Sequence, residues 1–287
     1  MELQTLSSSI VQNFIPTRKS TSRKGDNGIV LVVGGSYIYH GAPVLSSLAA
    51  LRCGTDLVYT CVPKINVTPT RAISPNLIVI PLVDQKLTLG AVKKLVGALP
   101  RNLHSATIGM GLAIQEKNSL LHLVKSLLDR DVRLSLDASA LIPEVLPILA
   151  HKNVVVTPHA GEFKRLFGDV PSDSNLERIK LVEENALKHG ITILLKGPTD
   201  IISDGKITYL CEKNTPAMTV GGTGDVLSGL VAGLLSTNRN PLESAAAASY
   251  ICGLAGKEVQ EKLGLHITSM DLIDSIPSVM KPFDKII

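Results

Sequence analysis

Short runs of aliphatic and β-branched residues recur along the chain, each separated from the next by a longer stretch of mixed polarity. The runs at 29–33, 56–62, 77–80, 106–108, 132–136, 154–156 and 191–195 read as strands, and those at 29–33 and 191–195 are apolar enough to be buried on both faces. Two shorter runs at 199–202 and 206–210 flank the turn Ser203-Asp204-Gly205 and predict a hairpin at the edge of the sheet. Helical periods fill the gaps. One helix opens with Pro43 in its first turn and runs to Gly54; others are predicted at about 88–99, 117–130 and 139–150. A further helix follows Gly224, an alanine-rich one spans about 241–263, and a short one follows Thr268. Strand and helix in alternation predict an α/β fold with a mostly parallel sheet covered by helices on both faces. Residues 1–23 read as a short arm or helix leading into a single domain at 24–287, because no linker or repeat divides the remainder.

Composition narrows the function classes. With 287 residues and 45% hydrophobic content the chain can bury a large core. Its net charge of +4 is spread along the chain, aromatics are 3%, and Trp is absent. A stacking surface for single-stranded nucleic acid is therefore not expected, and no nucleic-acid partner is predicted. Cys53, Cys61, Cys211 and Cys252 are widely separated, which suits buried thiols in a reducing compartment better than a zinc site or disulfide frame. No segment has the length and apolarity of a signal peptide or membrane span, so a soluble, cytoplasmic protein is the expectation.

In parallel sheets ligands bind beyond the carboxyl ends of the strands, and the unusual residues gather there. Gly34-Gly35-Ser36 through Ala42 follows the first buried run, and Gly109-Met110-Gly111-Leu112 a later one. Asp137 ends 132–136, Thr157-Pro158-His159-Ala160-Gly161-Glu162 follows 154–156, and Lys196-Gly197-Pro198-Thr199-Asp200 follows 191–195. The glycines form neither a dinucleotide fingerprint nor a P-loop. The longest such stretch is 214–229, where Gly221-Gly222-Thr223-Gly224-Asp225 precedes an apolar helical pattern. Helix-start amides without side chains in the way suit a phosphoryl group, with Asp225 taking a proton from a hydroxyl; the alternative is a glycine turn that Asp225 merely caps. Likewise Glu162 either completes a helix cap begun by Thr157 or supports a hydrated Mg²⁺ while His159 faces a substrate. Lys196 either neutralises phosphate or is an ordinary solvated lysine, and Asp137 either joins the metal and phosphate region or closes a turn. Gly229 and Gly233 predict close helix–sheet packing.

Gly222-Thr223-Gly224-Asp225 at a helix start resembles the anion-hole and base motif of the ribokinase-like superfamily, which implies a three-layer αβα sandwich. The longer string Asn214-Thr215-Pro216-Ala217-Met218-Thr219-Val220 before it, with Thr157-Pro158-His159-Ala160-Gly161-Glu162, Gly41-Ala42-Pro43 and Lys196-Gly197-Pro198-Thr199-Asp200, is similar to the ADP-dependent NAD(P)H-hydrate dehydratases over roughly 24–265. That resemblance implies a lyase that restores hydrated NADH and NADPH (the 6-hydroxy form, S epimer) while ADP becomes AMP and phosphate. It implies substrate contacts at Ala42, Gly111, His159 and Asp225, with Asp225 catalytic. It implies a nucleotide site from Lys196, Gly197, Pro198, Thr199 and Asp200 with Gly222, Thr223 and Gly224, and Mg²⁺ reached by Glu162 through water. ADP or ATP as co-substrate, a homotetramer, and an epimerase on a separate chain are further expectations. Met110 and Ser139 depart from the family pattern, standing where Pro and a second Asp are usual. The competing expectation is a small-molecule kinase of the same superfamily, of hydroxyethylthiazole or pyridoxal type, against which His159-Ala160-Gly161 speaks.

Overall fold

The expected arm contributes a strand and a helix to the domain: β1 (Glu2–Thr5) pairs in parallel with the strand at Ile207–Glu212, and α1 (Ser8–Phe14) buries Val11 and Phe14. The computed structural model describes residues 2–171, 174–213 and 215–287. The alternating units follow as β2 (Ile29–Val33), α2 (Ala42–Arg52), β3 (Leu57–Pro63), α3 (Val67–Ile73), β4 (Ile78–Leu82), α4 (Leu89–Ala98), β5 (Ser105–Ile108) and α5 (Lys117–Leu128). After these come β6 (Arg133–Leu136), α6 (Leu146–Leu149), β7 (Val154–Val156), α7 (Ala160–Phe167), α8 (Asn175–His189) and β8 (Thr192–Leu195). The chain closes with β9 (Thr199–Ser203), β10 (Ile207–Glu212), α9 (Thr223–Asn238), α10 (Pro241–Leu263) and α11 (Ser269–Met280).

One sheet of ten strands runs β1-β10-β9-β8-β7-β6-β5-β2-β3-β4. It is parallel except at β9, which pairs antiparallel with both neighbours. One core packs α4 to α8 on one face, and a second packs α1, α2 and α9 to α11 on the other, giving the three-layer α/β sandwich. β2 is buried at every position because both layers cover it.

Three sequence expectations change. The predicted helix at 139–150 is two 3₁₀ turns and a four-residue helix, because Pro143 and Pro147 each remove an amide donor. The β9–β10 hairpin is not the outermost element, since β1 pairs along it. Gly229 and Gly233 serve helix–helix rather than helix–sheet packing: a Cβ at Gly229 would lie 2.1 Å from the Ser46 carbonyl oxygen, and one at Gly233 2.2 Å from Cys53 Sγ, both on the α2 side. Among the described residues no helix is long and apolar enough to cross a membrane.

Candidate active site

The first turn of α9 is built to stay open. Gly222 occupies the N-cap with φ 94, a left-handed conformation that favours glycine. Its added Cβ would also strike Leu45 Cδ1 and Ser269 Oγ, each at 2.7 Å. Among the described residues no side chain caps this helix, so the reading of Asp225 as a cap does not hold. The leading amides keep their donors free for a ligand, at the positive end of the helix dipole. The turn is held from behind. Thr223 Oγ1 donates to the Met218 carbonyl at 3.0 Å, Ser269 Oγ to Gly221 O at 2.7 Å, and Ser46 Oγ to Asp225 O at 2.7 Å. Farther along, Ser228 Oγ shares a 2.6 Å hydrogen bond with Thr107 Oγ1 and fastens α9 to the sheet.

A charged cluster faces that turn. Lys196 Nζ lies 2.9 Å from Asp137 Oδ1 and 3.6 Å from Glu162 Oε2, and a Cβ added at Gly224 would sit 3.6 Å from the same ammonium. Burial alone would lower the Lys196 pKa, but Asp137 and then Glu162 outweigh it and raise it, so the lysine is charged. Asp225 is pushed up to about 6, first by burial and second by the charge of Asp137, with Lys196 pulling the other way. A carboxylate tuned toward neutrality beside unpaired amides is the arrangement a general base requires.

His159 is the N-cap of α7: its Nδ1 accepts from Gly161 N at 3.0 Å and Glu162 N at 3.3 Å, while His159 N donates to Glu162 Oε2 at 3.0 Å. The cap expected of Thr157 is therefore made by His159, with Glu162 completing the box. With Nδ1 occupied as an acceptor, the neutral ring carries its proton on Nε2, 3.5 Å from Glu162 Oε1, and the side chain is 59% exposed. Ala42, the first residue of α2, meets the loop at Gly111: a Cβ at Gly111 (φ 62) would lie 3.2 Å from that of Ala42.

A pocket of about 670 Å³ opens beside the first turn of α9. Of the expected nucleotide residues, Lys196, Gly197, Pro198, Asp200, Thr223 and Gly224 line it, whereas Thr199 and Gly222 do not. The Asp200 carboxylate is fully buried and consumed by Gly197 N at 3.0 Å, Ser249 Oγ at 2.7 Å and Lys213 Nζ at 2.6 Å. It shapes the floor of the pocket. Lys213, Thr215, Met218 and Leu227 also line it. Thr215 and Met218 belong to the quoted motif but were given no role, and Lys213 carries no local signal that separates it from other lysines. Asn214 lies outside the described residues. A larger cavity, about 730 Å³, opens at the opposite ends of the strands and contains none of these residues. We place the chemistry at the smaller one because the unpaired amides, Lys196 and Gly224 are there.

Among the described residues no group of three metal-ligating side chains is assembled. Asp137 and Glu162, each already near Lys196, fit a Mg²⁺ carried by nucleotide phosphates, which needs only one or two carboxylates from the protein. The two departures resolve structurally. Met110 is fully buried, with its carbonyl accepting from Gly35 N at 2.9 Å, and Ser139 N donates to Gly109 O at 3.3 Å.

A family model described as NAD(P)H-hydrate dehydratase matches residues 30–278. The chain is 80% identical to the ADP-dependent (S)-NAD(P)H-hydrate dehydratase of Nitrosopumilus maritimus, over 100% of both chains. It is 44% identical to a bifunctional NAD(P)H-hydrate repair enzyme of Pyrobaculum aerophilum, covering 93% of this chain but 53% of that protein. Among solved structures it resembles the ADP/ATP-dependent NAD(P)H-hydrate dehydratase of Bacillus subtilis co-crystallised with ATP/Mg²⁺, with a TM-score of 0.85 and 26% identity over 99% of this chain and 100% of the other.

Proposed function

This chain belongs to the NAD(P)H-hydrate dehydratase family, and from that premise we propose how its own residues carry out the reaction. The protein is an ADP-dependent hydro-lyase that returns hydrated NADH and NADPH to the reduced coenzymes. The observation that carries the mechanism is the raised carboxyl of Asp225 within an uncapped helix start.

Asp225 removes the proton from the C6 hydroxyl, and the oxygen forms a bond to the β-phosphorus of ADP as the bridging P–O bond to AMP breaks. Amides of the first turn of α9 and the Lys196 ammonium stabilise charge on the transferring group. Phosphate then leaves C6 with its bonding electrons, pushed by the ring nitrogen, and a proton departs from C5. The products are the dihydronicotinamide, AMP and phosphate. Phosphate is a far better leaving group than hydroxide, which is why a kinase-like site serves a dehydration. Mg²⁺ bound with the nucleotide would neutralise phosphate charge, with Glu162 reaching it through water and Asp137 beside it. The exposed His159 edge, Ala42 and Gly111 bind the hydrated dinucleotide, and the pocket from Lys196 to Asp200 takes the adenine nucleotide. Thr199 and Gly222 act there through the backbone they position.

A homotetramer, a cytoplasmic location and an epimerase on another chain complete the proposal. Incubation of hydrated NADH with ADP and Mg²⁺ tests the reading. Dihydronicotinamide absorbance should return in step with AMP and phosphate. A stable phosphorylated product accumulating without that absorbance would instead establish the hydroxyethylthiazole- or pyridoxal-type kinase.

A further inference from the structure

The chain holds only five tyrosines and four phenylalanines. Seven of these nine rings are buried or half-buried; only Tyr37 and Tyr39 are exposed, at 69% and 64%. Both lie on the loop between β2 and α2. That loop is not slack. Tyr39 N donates to Ser36 Oγ at 3.1 Å, Ser36 N to the Tyr39 carbonyl at 3.4 Å, and Asn66 Nδ2 to Ser36 O at 2.8 Å. An aromatic ring left in water on a pinned turn keeps its apolar face available at little ordering cost.

The position of Tyr39 gives that face a use. A Cβ added at Gly111 would lie 2.6 Å from Tyr39 Cβ and 3.0 Å from its carbonyl oxygen, so Tyr39 stands against the place where Gly111 and Ala42 meet. Ala42 is one helical turn before Ser46, whose Oγ holds the Asp225 carbonyl at 2.7 Å. Four residues of helix are about 6 Å of rise, which sets Ala42 about one turn along α2 from the residue that holds the Asp225 backbone. We propose that the Tyr39 ring is the surface on which the nicotinamide-derived ring of the substrate stacks, presenting its C6 hydroxyl toward Asp225. This rests on the dehydratase reading. The ring nitrogen, the C2–C3 double bond and the carboxamide of that ring form a flat conjugated unit in both the hydrated and the restored forms. A tyrosine face therefore holds substrate and product alike, and acts on binding more than on the chemical step.

The test compares Tyr39→Ala, Tyr39→Phe and Tyr37→Ala in the full chain. Tyr39→Ala should raise KM for hydrated NADH about five- to tenfold, with kcat within about twofold and KM for ADP unchanged. Tyr39→Phe should restore KM, because the ring and not the hydroxyl is required, and Tyr37→Ala should leave it within about twofold. Equilibrium titration of NADH, followed by its own fluorescence, should show the same ranking without turnover. That arm still decides the role of Tyr39 if the dehydration itself were absent. Unchanged KM and NADH affinity in Tyr39→Ala, an equal loss in Tyr39→Phe, or a Tyr37→Ala defect as large would each overturn the assignment. So would a changed sedimentation rate in Tyr39→Ala, which would place the ring at a contact between copies.

Discussion

Two lysines border the pocket beside α9, and they are held in opposite ways. Lys213 faces one carboxylate, Asp200, at 2.6 Å, and that carboxylate is fully buried and further satisfied by Ser249 and Gly197. Lys196 is shared between Asp137 at 2.9 Å and Glu162 at 3.6 Å, and its field also reaches Asp225. The first set is closed, with every charge matched. The second has three carboxylates around one ammonium, and Asp225, pushed up to about 6 first by burial, is pushed further by the Asp137 charge than it would be in a matched set. Matched buried charges fix the shape of a site, whereas unmatched ones leave it able to receive a phosphoryl group or move a proton.

The comparison can be broken by substitution, most severely at its unmatched member. Asp225→Ala should lower kcat for restoration of hydrated NADH by about 10³-fold while far-ultraviolet circular dichroism is unchanged. Next, Lys196→Met should lower kcat/KM for ADP about 100-fold in a steady-state assay. Lys213→Met should instead show itself in denaturant unfolding. It leaves the buried Asp200 charge uncompensated, and a loss of roughly 3–5 kcal/mol is expected, with the activity of the folded fraction largely kept. If Lys213→Met abolished turnover without loss of stability, the two sets would not differ as described.

The same contrast runs along α9. Gly229→Ala would drive a methyl to 2.1 Å from the Ser46 carbonyl, and a destabilisation of roughly 1–3 kcal/mol is expected from urea unfolding. At Gly224 the nearest atom to an added methyl is Lys196 Nζ at 3.6 Å, an ordinary contact. Gly224→Ala should therefore unfold like the parent protein, yet lose about tenfold in kcat/KM for ADP if, as proposed, the phosphoryl group approaches this turn.

The clearest strands were legible because their runs are continuous and β-branched, and β2 and β7 carry the predicted bounds. α10 also matches, with Pro241 at its start and Gly264 after its end. The misreadings have local causes. Pro143 and Pro147 broke a segment whose apolar period looked helical. α8 was missed because its buried stripe of Ile179, Val182 and Ala186 is narrow among charged residues. β1 could not be read, since its partner β10 lies some two hundred residues along the chain and Leu3 stays half exposed. At the site, glycine spacing exposed the open turn of α9 and the strand-end stretch 196–200 singled out Lys196, but nothing local singled out Lys213. Their difference lies in how many carboxylates the folded sheet brings to each.

The most direct measurement is the pH dependence of kcat for the parent protein and for Asp137→Asn. The Asp225 carboxyl is pushed up to about 6, so it is protonated and inactive as a base below that pH. The parent profile should fall on the acid side with a midpoint near that value. Asp137→Asn removes a charge that raises the Asp225 pKa and frees Lys196 to lower it, so the limb should move to lower pH. A profile flat from about pH 5 to 8, or a limb that does not move in Asp137→Asn, would contradict the assignment of Asp225 as the base.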